Sequence, residues 1–174
     1  MENIRSSGSP RLQANPLIQV WIDRAALLHM VGDADSHFPN ETGGVLMGYW
    51  ASGKDDVVIT DAIGGGPLAR RMRKRFSPDS EFQAKAIAEI YATSGGVRTY
   101  LGDWHTHPRG RLALSLTDKQ TLRRIAKHPA ARASSPIMVL LAGEGKWRAA
   151  AWCWLPHRKF SSQIQVCNLV AYDP

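Results

Sequence analysis

His105-Thr106-His107-Pro108, with Ser115 and Asp118 following, is the stretch on which the reading of this 174-residue chain turns. Arg98 to His107 has the character of a strand. Side chains alternate along a strand, so His105 and His107 point to the same side at its C-terminal end. Thr117 and Gln120 have the spacing of a capping box, which predicts a helix with Leu122, Ile125 and Ala126 as its buried stripe. Asp118 then falls in the first turn of that helix, beside the strand end. Two imidazoles and a carboxylate are a ligand set that zinc accepts. Three protein ligands with one open position is how catalytic zinc is held, whereas structural zinc is closed by four. On composition, this spacing of His, His, Ser and Asp arises by chance in roughly one such chain per thousand. The pattern therefore reads as a metal site rather than coincidence.

Working outward, the elements on either side alternate between strands and helices. Leu17 to Ile22 reads as a short strand, and Asp23 as the cap of a helix running to about Val31 and stopping at Gly32. A loop through Asp33, Asp35 and Pro39 leads to Val45 to Trp50 and Asp56 to Ile63, two strands in a hairpin around Ala51-Ser52-Gly53. Ser77-Pro78-Asp79 starts a helix whose apolar stripe is Phe82, Ala86, Ile87, Ile90 and Tyr91, ended by Gly95-Gly96. Pro136 to Ala142 and Lys146 to Leu155 form a hairpin around Gly143-Glu144-Gly145, and Ile164 to Ala171 is a last strand. The sum is an α/β domain with a mixed sheet covered on its faces. Residues 1–16, rich in Ser, Pro, Gly and Asn, are expected to be a flexible tail, and residues 17–174 a single domain.

With 44% hydrophobic and 21% charged residues, the composition is that of a folded protein, not a disordered one. The longest apolar runs, Ile137 to Ala142 and Ala149 to Leu155, fall far short of the ~20 residues that span a bilayer. No secretory signal is visible, and Cys153 and Cys167 read as reduced core thiols, so a cytoplasmic setting is expected. The net charge of +7 has local sources: Arg70, Arg71, Arg73, Lys74 and Arg75 in one run, and Lys119, Arg123, Arg124 and Lys127 on one helix. Such charge attracts nucleic acid, membrane surfaces or acidic proteins, or forms a solvated loop and helix face. No aromatic residues are interleaved with the arginine run as a single-strand stacking platform requires. Gly64-Gly65-Gly66-Pro67 lacks the Lys-Ser/Thr of a phosphate loop and reads as a turn. His29, His37, His128 and His157 lack ligand spacing, and Trp104 is assigned to packing.

Metal-assisted hydrolysis needs a carboxylate to carry a proton to the leaving amine and a donor for the oxyanion. Of the five glutamates, only Glu41 stands at the mouth of a strand beside two glycines, and Ser115 lies between the ligand candidates. Glu41-Thr42-Gly43-Gly44-Val45-Leu46-Met47-Gly48 together with His105-Thr106-His107-Pro108, Ser115 and Asp118 resembles the JAMM/MPN+ (Mov34/MPN/PAD-1) zinc metalloprotease family, in its small bacterial branch. The similarity covers residues 17–157. It implies a three-layer α/β/α sandwich like that of cytidine deaminases. It also implies one zinc ion on His105, His107 and Asp118, Glu41 as general base and acid, and Ser115 stabilising the oxyanion. The implied reaction is cleavage of an isopeptide bond, or of the peptide bond after the C-terminus of a ubiquitin-like protein. The implied partners are that modifier or its conjugates, with ubiquitin-activating-like and ubiquitin-conjugating-like enzymes of one operon, in several cases in antiphage defence. A protease releasing a sulfur-carrier-like protein, or a small amino acid from a carrier C-terminus, is the alternative within enzymes. A non-catalytic MPN scaffold and a nucleic-acid-associated protein are the alternatives of other classes.

Overall fold

The computed structural model describes residues 18–52, 56–156 and 163–174. Strand β1 (Gln19–Asp23) buries Val20 and Ile22, and Asp23 then caps helix α1 (Arg24–His37), its Oδ1 accepting from the Ala25 N–H at 2.7 Å. The helix does not stop at Gly32. That glycine is exposed with nothing near its missing side chain, so it costs only about 1 kcal/mol of helix propensity. Met30 and Ala34, fully buried on either side of it, outweigh that cost. Asp33 and Asp35 are consequently helical, not looped.

Strands β2 (Gly43–Trp50) and β3 (Asp56–Ile63) pair antiparallel as expected, although Gly53 of the connecting turn lies outside the described residues. So do the expected tail over residues 1–16, Leu17 and His157. The arginine run is not a loop: β4 (Arg70–Met72) and β5 (Arg75–Ser77) form a small separate hairpin. Helix α2 (Ser80–Thr93) forms as expected but starts two residues later than Ser77-Pro78 suggested, with Asp79 as its cap. Its stripe is narrower than expected. Ala86, Ile87 and Ile90 pack on Val45, Met47 and Ile63, while Phe82 and Tyr91 are 42% and 47% exposed and cover Gly66 and Gly96. Strand β6 (Thr99–Pro108) leads to helix α3 (Leu116–Lys127), and β7 (Ile137–Glu144), β8 (Lys146–Trp154) and β9 (Ile164–Tyr172) complete the chain.

The sheet is mixed, in the order β1-β3-β2-β6-β7-β8-β9. An open sandwich sheet was expected, and here the structure differs: β1 pairs parallel with both β3 and β9, so the sheet closes into a barrel. One short strand thereby satisfies two edges that would otherwise present unpaired backbone groups. Helices still cover both faces. Ala26 and Met30 of α1 pack with Val20, Ile22, Ile59 and Val139 on one side, and Leu122 of α3 with Met138, Leu140 and Trp152 on the other. Cys153 and Cys167 are buried free thiols, as expected. Among the described residues no helix is long and apolar enough to cross a membrane.

The β2–β3 contact is tight at Gly44, where an added Cβ would overlap the Ile63 carbonyl oxygen and approach the Trp104 indole nitrogen to 2.9 Å. Backbone cannot swing aside as a side chain can. Gly44→Ala is expected to cost about 3 kcal/mol, lowering Tm by roughly 6–12 °C. Thermal melting by circular dichroism checks this, and an unchanged Tm refutes it.

Candidate metal centre

Strand β6 presents its side chains as alternation requires. Trp104 and Thr106 are buried, with the Trp104 indole donating to the Ile63 carbonyl at 3.0 Å, while His105 and His107 share the opposite side. Their Nε2 atoms stand 3.2 Å apart. Helix α3 delivers the third donor: Asp118 Oδ1 lies 3.2 Å from His105 Nε2, and Oδ2 lies 3.6 Å from His107 Nε2. A tetrahedral ion with bonds of about 2.0–2.1 Å has ligand–ligand edges of about 3.3–3.4 Å. Each imidazole lies near that spacing from the other and from one or other Asp118 oxygen, and the three residues form a candidate metal-binding group. Lone pairs brought so close need a cation or shared protons to balance them. The donor chemistry fits a metal ion.

Two of the three donors are fixed by a bond outside the cluster. His107 Nδ1 faces the Arg111 carbonyl at 3.2 Å; donation there leaves Nε2 as the ligating atom. Asp118 is held by a capping box, but not the expected one. Ser115 is the N-cap, its Oγ accepting from the Asp118 N–H at 3.2 Å, while Asp118 Oδ2 accepts from the Ser115 N–H at 2.7 Å. Thr117 and Gln120 have the same three-residue spacing, but the helix starts two residues earlier. Burial raises the Asp118 carboxyl, yet the His105 hydrogen bond and charge, with the Ser115 donors, outweigh it and hold it well below the usual carboxylate range. For His107, burial and the nearby His105 lower the pKa against the opposing pull of the Arg111 carbonyl and Asp118. Both shifts favour the protonation states a metal ligand needs.

Glu41 comes from a distant segment and is positioned by backbone. Its N–H donates to the Met72 carbonyl at 2.8 Å, and Thr42, next in the chain, is clamped to Thr106 between the two histidines. The Thr106 N–H donates to the Thr42 carbonyl at 2.9 Å, and the Thr42 N–H to Thr106 Oγ1 at 3.0 Å. Gly43 pairs with His105 across the strands, where a side chain would meet His105 Cβ at 2.9 Å. The absence of a side chain there lets the Glu41 segment lie against β6. The Glu41 carboxyl is half-buried, which raises its pKa; His105 lowers it and Asp118 raises it further. All five residues singled out from the sequence thus gather at one place.

Two features were not anticipated. Thr42 Oγ1 donates to Asp33 Oδ2 of α1 at 2.5 Å and accepts from Arg71 Nε at 3.1 Å, tying a helix and the small hairpin to the Glu41 segment. Asp103, two residues before His105 and so on the same side of β6, accepts from the Tyr100 hydroxyl at 2.7 Å. Burial raises the pKa of both groups. Strand alternation alone would have pointed to Asp103; nothing local marks Asp33.

The family of prokaryotic homologs of the JAB domain matches residues 23–154. The chain belongs to the prokaryotic JAB family. A probable metalloprotease of Sinorhizobium fredii is 45% identical over 139 residues, 79% of this chain and 80% of that protein. A CD-NTase/cGAS isopeptidase of Vibrio cholerae is 33% identical over 88 residues, 51% of this chain and 55% of that protein. A solution structure of a protein from Desulfitobacterium hafniense shares the fold at 19% identity, with a TM-score of 0.65, covering 90% of this chain and 94% of that one. By family, this JAB chain is a metalloprotease-type hydrolase.

Proposed function

We propose that this JAB protein is a zinc-dependent isopeptidase or peptidase that cuts after the C-terminus of a ubiquitin-like protein, by deconjugation or precursor maturation. The observation that carries the reading is the convergence of His105, His107 and Asp118 at ligand spacing, with Glu41 electrostatically coupled to two of them. His105, His107 and Asp118 hold the ion. When bound, zinc supplies a Lewis acid that polarises the scissile carbonyl and makes water acidic enough to attack near neutral pH. Glu41 accepts the water's proton and returns it to the departing amine. The Ser115 hydroxyl donates a hydrogen bond to the oxyanion, since its capping bond uses only a lone pair of Oγ. A complete ligand set argues against a non-catalytic scaffold. The isopeptidase name of the Vibrio cholerae relative supports a conjugation pathway, and we place the protein there, in the cytoplasm, in a setting of antiphage defence.

The test is cleavage of candidate ubiquitin-like proteins, as C-terminal fusions and as lysine conjugates, by zinc-loaded protein with a chelator control. Mass spectrometry should place the cut directly after the modifier's last residue. Digestion of unfolded casein with every modifier fusion left intact would refute the reading. Ser115→Ala should lower kcat by about 10²–10³-fold with little change in KM. The same variant loses its cap, about 1 kcal/mol, so Tm should fall by roughly 2–4 °C while metal content stays. Unaltered kcat in this variant would remove Ser115 from the mechanism.

A further inference from the structure

The β4–β5 hairpin has two unlike sides. Its inner side is tied down: Arg71 donates to Thr42 Oγ1 at 3.1 Å and to the Gly66 carbonyl at 3.4 Å, Met72 accepts from the Glu41 N–H, and the Phe76 ring lies over Gly65. Its outer side carries Arg70, Arg73, Lys74 and Arg75, all exposed. No side-chain hydrogen bond or ion pair among the described residues engages these four, although Arg24, Arg98 and Arg109 elsewhere are each paired with a carboxylate. Met72 and Leu68, 56% and 80% exposed, stand among the cations. Like charges crowded on one short hairpin repel one another, so solubility alone does not explain the cluster. Its anchorage is specific, because the strand bearing it hydrogen-bonds to the backbone of Glu41 itself.

We propose that this hairpin docks an acidic segment of the protein substrate, so that the site selects conjugates with Asp and Glu residues beside the bond to be cut. The inference rests on the peptidase reading of the Glu41 site. Charge complementarity steers such a segment to the hairpin, and the hydrogen bond to Glu41 sets it next to the hydrolytic group. A protein is favoured over nucleic acid on two counts. Exposed Leu68 and Met72 suit a mixed protein surface better than a phosphate backbone, and the cluster offers no aromatic stacking platform. A nucleic acid docked beside Glu41 would also bring no amide bond to it.

The experiment is fluorescence anisotropy on the full chain, loaded with zinc, at about 50 mM salt. The probes are a labelled twelve-residue Glu/Gly peptide, a matched Gln/Gly peptide and a 20-base-pair DNA duplex. The acidic peptide should bind, and the Gln/Gly peptide should not. Binding should weaken at least about tenfold when Arg70→Gln, Arg73→Gln, Lys74→Gln and Arg75→Gln are combined. It should persist when the three arginines are changed to lysine, which separates charge from misfolding. No binding of the acidic peptide, binding indifferent to the Gln set, or DNA bound more tightly than peptide through the same residues would each overturn the proposal. The two readings fail separately. Hairpin-dependent peptide binding without any cleavage would leave the docking surface and remove the peptidase. Equal cleavage of acidic and neutral fusions would do the reverse.

Discussion

Glu41→Gln is expected to lower kcat by at least about 10²-fold, and up to about 10⁴-fold, while zinc stays bound at one ion per chain. Glutamine matches the size and the backbone role of Glu41, whose N–H still reaches the Met72 carbonyl. What is lost is the basic carboxylate that takes the proton. The same residue sets a pH dependence. Burial raises the Glu41 carboxyl above the usual carboxylate range, with His105 opposing and Asp118 adding. A base works ionised, so wild-type activity should fall once acid protonates this carboxyl. The stability sign is opposite. A carboxyl raised in the folded state holds its proton more tightly than in the unfolded chain, so above that pH its ionisation costs folding stability. Glu41→Gln should therefore melt no lower than wild type at pH 7, even as turnover disappears. Metal analysis, single-turnover kinetics and a melting curve read the three outcomes; undiminished turnover sinks the mechanism.

Asp118→Asn is the second large effect. Metal affinity should fall by more than about 100-fold, since loss of an outer-shell partner alone costs about 10–100-fold, and cleavage should fall to background. Asparagine keeps an oxygen that accepts from the Ser115 N–H, so the start of α3 survives and the fold remains. In chelator, the wild-type carboxylate contributes stability above its ordinary pKa and loses it as pH falls toward its depressed folded value. The variant lacks that contribution and should show a flatter acid unfolding limb. Competition with a zinc indicator and acid titration followed by circular dichroism measure both. Retention of tight zinc binding would dismiss Asp118 as a ligand.

Much of the candidate site was legible in the chain because its parts are local. His105 and His107 share a side of β6 by alternation, and a three-residue acceptor spacing announces a helix start near Asp118. The same spacing misled by two residues, because Thr117/Gln120 and Ser115/Asp118 satisfy one rule and only packing against the histidines selects between them. Gly32 misled for a related reason: a glycine signals a stop only when the residues beyond it have nothing to bury, and Ala34 does. Closure of the sheet was invisible, since parallel pairing of β1 with β9 joins residues about 150 positions apart, and no local pattern encodes that register. The bond from Asp33 through Thr42 to Arg71 is equally non-local. It brings together an acid expected in a loop and an arginine expected in solvent.

Asp118 is gripped by Ser115, and His107 by Arg111, through bonds that need no ion. These anchors predict a centre that keeps its shape without the ion, unlike small zinc domains that fold only around their metal. A chelator should leave a folded, inert protein, and returning zinc should restore turnover as fast as the ion diffuses in.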